Sequence, residues 1–198
     1  KSGATFNMSG GEIRNCRGGS GNGGGVHVYG ATFVMSGGTI SGCTAVIGNG
    51  GGLCAENSST ITISGGTISG CEGGLGGLYA DNSTITINKG TISGCTAVDD
   101  GGGLYAKNKS TINITGGIIS GCEGRWGGGL YAENSSTIEI SGGTISGCTV
   151  GAGGGLFVDG STLTIKGGTI SKCITSDTGN GGGLYAYHSI ITISGGTI

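Results

Sequence analysis

Cysteine is the residue with the most chemistry to offer in this sequence, and seven of its eight copies are almost evenly spaced: Cys16, Cys43, Cys71, Cys95, Cys122, Cys148 and Cys173. The intervals are 27, 28, 24, 27, 26 and 25 residues. Thiols in such a ladder could bridge, ligate a metal or pack as small apolar groups. Neither CxxC spacing nor a histidine beside the ladder supports zinc, so no metal is assigned. If equivalent residues stack about 4.8 Å apart, their Cα separation suits a disulfide. Parallel Cβ vectors, however, leave the Cβ atoms farther apart than the ~3.8 Å of a relaxed bridge. Reduced thiols acting as core residues are the favoured reading, with bridges between neighbours as the alternative. Cys54 stands outside the ladder.

Carboxylates offer less. Glu56, Asp81, Glu133 and Asp159 recur at one place in the repeat, but Lys107 interrupts them and no second column of acids or bases runs alongside. Glycoside hydrolysis or polysaccharide elimination needs such groups clustered on one face. Asp99 and Asp100 read as solvated loop residues, and His27 and His188 lie far apart. No catalytic residue and no cofactor is assigned, and an enzyme is not expected. A further column holds His27, Cys54, Tyr79, Tyr105, Tyr131, Phe157 and Tyr185. Its rings at Tyr79, Tyr105, Tyr131, Phe157 and Tyr185 form a candidate surface for sugars or another protein, unless they serve only to stack along a sheet. Threonines at Thr60 and Thr62, Thr84 and Thr86, and Thr162 and Thr164 suggest an alternative, ice-contacting face. Asn7, Val34, Asn113, Glu139 and Ile190 interrupt those rows, and threonine is in any case a good strand former.

The elements that position these residues follow from the unit GGGLYAENSSTIEISGGTISGC, residues 127–148, of which nearly the whole chain is imperfect copies. Apolar residues alternate within it. Leu130 and Ala132 share one side, Ile138 and Ile140 another, and Ile145 points inward alone, so the runs read as strands rather than helices. Three short strands in about 26 residues fit one coil of a right-handed, single-stranded parallel β-helix, an all-β solenoid of roughly seven to eight coils over residues 1–198. Its inner columns run Phe6, Phe33, Ile61, Ile85, Ile112, Ile138, Leu163, Ile191, then Met8 to Ile193, Ile13 to Ile198 and Val26 to Leu184. The second glycine of each SGG, Gly11 through Gly196, is expected at positive φ. So is the Gly/Asn column Gly30, Asn57, Asn82, Asn108, Asn134, Gly160, with His188 in the last copy. The loops between each cysteine and the next GGG vary in length, which is where a solenoid carries specificity.

Composition excludes several classes. The chain has 52 glycines, no proline, 10% charged residues and a net charge of −2. Glycine at fixed points of a long repeat is neither collagen nor disorder. Nine scattered basic residues give no footprint for nucleic acid, and no run of 18 apolar residues inserts into a membrane. The sequence opens and stops in mid-unit, which reads as a fragment of a longer array. Coils continuing uncapped at both ends point to end-to-end self-association.

The repeated Ile-x-x-Cys and Gly-Gly-Gly-Leu pairs resemble the FxxN and GGA[ILV] repeats of polymorphic outer-membrane proteins and of autotransporter passengers, with cysteine at the seven positions where those place asparagine. The resemblance implies an exported, surface-displayed adhesin or structural stalk. The expectation is therefore a non-catalytic, extracellular structural or adhesive solenoid at the cell surface, with a host-surface protein or glycan as partner. Ice binding and carbohydrate processing by a larger parent are the alternatives.

Overall fold

The computed structural model describes residues 3–19, 21–45, 47–176 and 178–198, and among these every regular element is a strand. One coil shows the pattern. Its strands are Leu130–Ala132, Thr137–Ile140 and Thr144–Ser146, as the alternation predicts, followed by a two-residue strand, Thr149–Val150, after the cysteine. Each pairs in parallel with its counterpart one coil away: Leu104 with Leu130, Ile112 with Ile138, and Ile119 with Ile145 after Ile118–Thr144. The Leu-Tyr-Ala strands form a seven-stranded sheet. In the early coils the second and third strands run together as one ten-residue strand, such as Thr60–Ser69.

The core is the column set read from the alternation. Phe33, Ile61, Ile85, Ile112, Ile138 and Leu163 are all fully buried, as are Leu53 through Leu156 in the first strand. At the two ends the same columns surface, with Phe6 47% and Ile193 52% exposed, because a terminal coil has a neighbour on one side only. Cutting an interior isoleucine to alanine costs about 2–5 kcal/mol, since a stack fixed by backbone pairing collapses poorly around a gap.

Turns are specified residue by residue. The second glycine of SGG has φ between 79° and 94° in every coil, and the Gly/Asn/His column between 45° and 59°. A feature absent from the sequence reading holds the latter turn: a ladder of buried serines, Ser59, Ser83, Ser110, Ser136 and Ser161. The Ser110 hydroxyl donates to the Lys107 carbonyl at 2.6 Å and accepts from the Ser83 N–H of the preceding coil at 3.1 Å. The Ser136 hydroxyl likewise donates to the Glu133 carbonyl at 2.7 Å, while the Ser136 N–H donates to the Ser161 hydroxyl of the next coil at 3.1 Å. The polar groups of a turn pressed against its neighbours are thereby satisfied without water. GGG is equally constrained. A Cβ on Gly102 would meet the Glu123 backbone at 2.3–2.6 Å, and one on Gly103 the Ile119 methyl at 3.0 Å and the Cys122 sulfur at 3.3 Å.

Candidate functional site

The outer face of the Leu-Tyr-Ala sheet carries the column of rings, and the strand pairing stacks them in register. Tyr79 and Tyr105 lie 5.7 Å apart at 14°, Tyr105 and Tyr131 5.0 Å at 10°, and Tyr131 and Phe157 5.0 Å at 18°. The expectation of an open strip is corrected: Tyr79, Tyr105, Tyr131 and Phe157 are buried, and Tyr185 is half-buried. Together with Cys54 they form a second apolar cluster, on which Leu75 and Ala152 of the variable loops pack. The reason lies in the first glycine of GGG. At Gly127, φ is 64° and an added Cβ would stand 2.9 Å from the Cβ of Tyr131, so the loop backbone folds directly across the ring column. Apolar loop residues such as Leu75 and Trp126 were the signal that these loops have something to cover. Burial pushes the hydroxyls of Tyr79, Tyr105 and Tyr131 above the usual phenol range.

The acids two residues beyond the rings line the edge of this wall, and Glu56, Asp81 and Glu133 each have a polar neighbour. Glu133 accepts the Tyr105 hydroxyl at 2.6 Å. Asp81 accepts from Asn108 Nδ2 at 2.8 Å and lies 3.7 Å from Lys107 Nζ, so the lysine that interrupts the column pairs with it. Glu56 takes Asn22 Nδ2 at 2.9 Å and stands 2.7 Å from His27 Nε2. Cys54 completes this last group: the donor atoms of His27, Cys54 and Glu56 all lie within 4.8 Å of one another. Attention to the ladder cysteines alone misses this cluster, although the paired replacement of rings by His27 and Cys54 in adjacent coils is visible in the repeat. Asp100 differs from the loop acid expected. It is half-buried, its Oδ1 has no hydrogen-bond partner among the described residues, and burial, reinforced by Asp99, raises its pKa to about 6.

An open aromatic surface does exist further along the same wall. Trp126, carried by the loop that follows Cys122, stacks on Phe157 at 5.5 Å and 14° and is 38% exposed. Arg125 lies over the indole at 5.2 Å. Trp126, Ala152, Phe157, Asp159, Asn180, Tyr185 and Tyr187 line a cleft of about 350 Å³. Of the rings singled out from the sequence, Phe157 and Tyr185 reach this cleft; Trp126, Asn180 and Tyr187 were missed because two of them sit in loops whose path the repeat does not dictate.

The threonines stand elsewhere, on the second strand. Thr60 is exposed and Thr62, Thr84, Thr86, Thr162 and Thr164 are half-buried, with Thr60 paired to Thr84 and Thr62 to Thr86. Asn113 and Glu139 continue the inner row, and Glu139 is tied to Lys166 at 2.8 Å. The ladder thiols are free, buried from Cys43 to Cys148, half-buried at Cys173 and exposed at Cys16. Their sulfurs point at the carbonyl two residues back, for example Cys122 to Ser120 at 3.4 Å. Burial raises the Cys43 thiol above its usual range, which keeps it protonated and unreactive.

A family model described as "Right handed beta helix region" matches residues 74–198, more than half of the chain. No curated protein and no solved structure matches.

Proposed function

The chain belongs to the right-handed beta helix family, and from that premise we propose that it is a non-catalytic structural and adhesive solenoid displayed outside the cell, with a glycan as the ligand of its Trp126 cleft. The observation that carries this reading is the composition of that cleft: an exposed indole backed by Phe157, beside the Asp159 carboxylate and the Asn180 amide. A sugar presents an apolar C–H face and a rim of hydroxyls, which a rigid ring and a few fixed polar groups complement. A lack of catalysis accords with the engagement of Glu56, Asp81 and Glu133 by neighbouring side chains, since hydrolysis calls for two carboxyl groups free to flank one bond. The extracellular setting rests on the likeness of the Ile-x-x-Cys and Gly-Gly-Gly-Leu repeats to those of surface-displayed passengers.

A glycan array with the wild-type chain and Trp126→Ala tests the reading. The expected result is a restricted set of bound glycans that the variant loses while its melting temperature holds. Binding that survives Trp126→Ala, or release of new reducing ends or unsaturated products from a bound polysaccharide, would overturn it. Ice binding is the second reading, favoured by the seven threonines Thr5, Thr32, Thr60, Thr84, Thr111, Thr137 and Thr162, aligned in successive coils. The Glu139–Lys166 ion pair breaks the flatness of that face. Thermal hysteresis at millimolar protein separates the two.

A further inference from the structure

From the outer wall of the first two coils we infer a binding site for one borderline-soft divalent cation, with zinc as its type, formed by Cys54 Sγ, His27 Nε2 and a Glu56 carboxylate oxygen. Three observations converge on it. The first is placement: His27 and Cys54 are direct partners in the parallel ladder, and Glu56 lies two residues after Cys54 on the same face of its strand. All three side chains therefore leave one side of a rigid sheet, and their donor atoms already lie within 4.8 Å of one another. A tetrahedral ion with a sulfur bond of about 2.3 Å and nitrogen and oxygen bonds of about 2.0–2.2 Å needs donors roughly 3.2–3.8 Å apart, within reach of small side-chain rotations.

The second is the break in the repeat. At this position the later coils carry Tyr79, Tyr105, Tyr131, Phe157 and Tyr185, a stack whose stability comes from ring contact. Two adjacent coils abandon it together, replacing rings by a thiol and an imidazole, which bring less apolar surface but are the two strongest side-chain ligands for such an ion. The third is support around the ligands. Asn22 donates Nδ2 to Glu56 Oε1 at 2.9 Å, while its own Oδ1 accepts the Asn49 N–H at 2.8 Å, so the carboxylate is held by a fixed amide. Second-shell bonds of this kind orient ligating groups. The His27 and Glu56 side chains are 38% and 21% exposed, so water has access from their side to serve as the fourth ligand. On binding, the ion replaces the hydrogen bond between the ring and Glu56, the sulfur bond forms as the Cys54 proton passes to water, and no redox change is involved.

Cobalt(II), a spectroscopic stand-in for zinc, tests the site in the reduced 198-residue chain. The expected result is one equivalent bound, with thiolate-to-cobalt charge-transfer absorption that zinc bleaches by competition. Cys54→Tyr and His27→Tyr, which restore the ring that the repeat places there and so preserve the fold, should each abolish the band. Cys71→Ala in the ladder should keep it, and Asn22→Ala should weaken binding about 10- to 100-fold. Zinc should raise the melting temperature of the wild type and not of Cys54→Tyr. A missing band, a band that survives Cys54→Tyr, or one that disappears with Cys71→Ala would overturn the assignment.

Discussion

At the scale of single residues, Asp100 is the group that the fold treats least kindly. Its carboxyl is half-buried beside the loop containing Trp126, one oxygen has no partner among the described residues, and its pKa rises from 3.8 to about 6 through burial and the neighbouring Asp99. A carboxyl whose folded pKa lies above its unfolded one binds more protons in the folded state, so stability falls as pH rises across that interval. Asp100→Asn mimics the protonated form. Its melting temperature should match the wild type near pH 4, exceed it increasingly up to about pH 6, and hold a constant advantage above about pH 7. Melts of the two proteins across that range check this, and a constant difference from pH 4 to 8 would mean that water reaches the carboxyl. Asp100 lies in the loop after Cys95 and Trp126 in the loop after Cys122 one coil on, joined by the bond from the Gly101 N–H to the Trp126 carbonyl, so the strained carboxyl sits beside the residue that opens the wall.

Elements in this protein are stabilised less by their own length than by what clasps them to the next coil. The strand after the cysteine has only two residues where it forms and shrinks to a single bridged residue at Glu123, and the turn after the Leu-Tyr-Ala strand is held by the serine ladder. Ser110→Ala removes the acceptor of the Ser83 N–H and leaves a buried donor unpaired, a cost of about 1–3 kcal/mol. Ser58→Ala, on an exposed neighbour with positive φ, removes no comparable bond. Urea midpoints should therefore drop clearly for Ser110→Ala and much less for Ser58→Ala; equal shifts would show that the turn is held by backbone geometry alone. The same element-scale logic turns the ring column from a surface into a clasp, since the loops that pack on Tyr105 and Tyr131 are fastened by them.

For the molecule as a whole, a stack of coils offers unpaired strand edges and bare core columns only at its two ends. In this 198-residue chain Phe6 is 47%, Ile193 52% and Ile198 52% exposed. Identical columns meeting in register would continue the parallel ladder from one chain to the next. The isolated chain should accordingly associate end to end, with light scattering rising over a concentration series and fibrous or rod-like particles in electron micrographs. A concentration-independent monomer would count against this. The Trp126 cleft lies on the side wall, where a ligand meets side chains, but it reaches the end strand Leu184–Tyr187 through Tyr185 and Tyr187.

Period, strand polarity and core columns belonged to the sequence alone. A repeat of about 26 residues that stacks on itself makes the burial of Ile112 or Ile138 a local property, set by alternation along one short strand. The positive φ of Gly143 and Asn134 was legible for the same reason, because few residue types tolerate it. Tertiary structure decided whatever depends on the path of a variable loop or on contact between coils. Tyr105 alternates outward as its position predicts, yet only the loop folded over it makes it buried; the Ser136–Ser161 bond and the Trp126–Phe157 stack likewise join residues 25 and 31 positions apart. His27, Cys54 and Glu56 fall between the two cases. Their shared face could be read from the repeat, but their convergence, with Asn22 reaching over from a loop, exists only once neighbouring coils bring the side chains within a few ångströms.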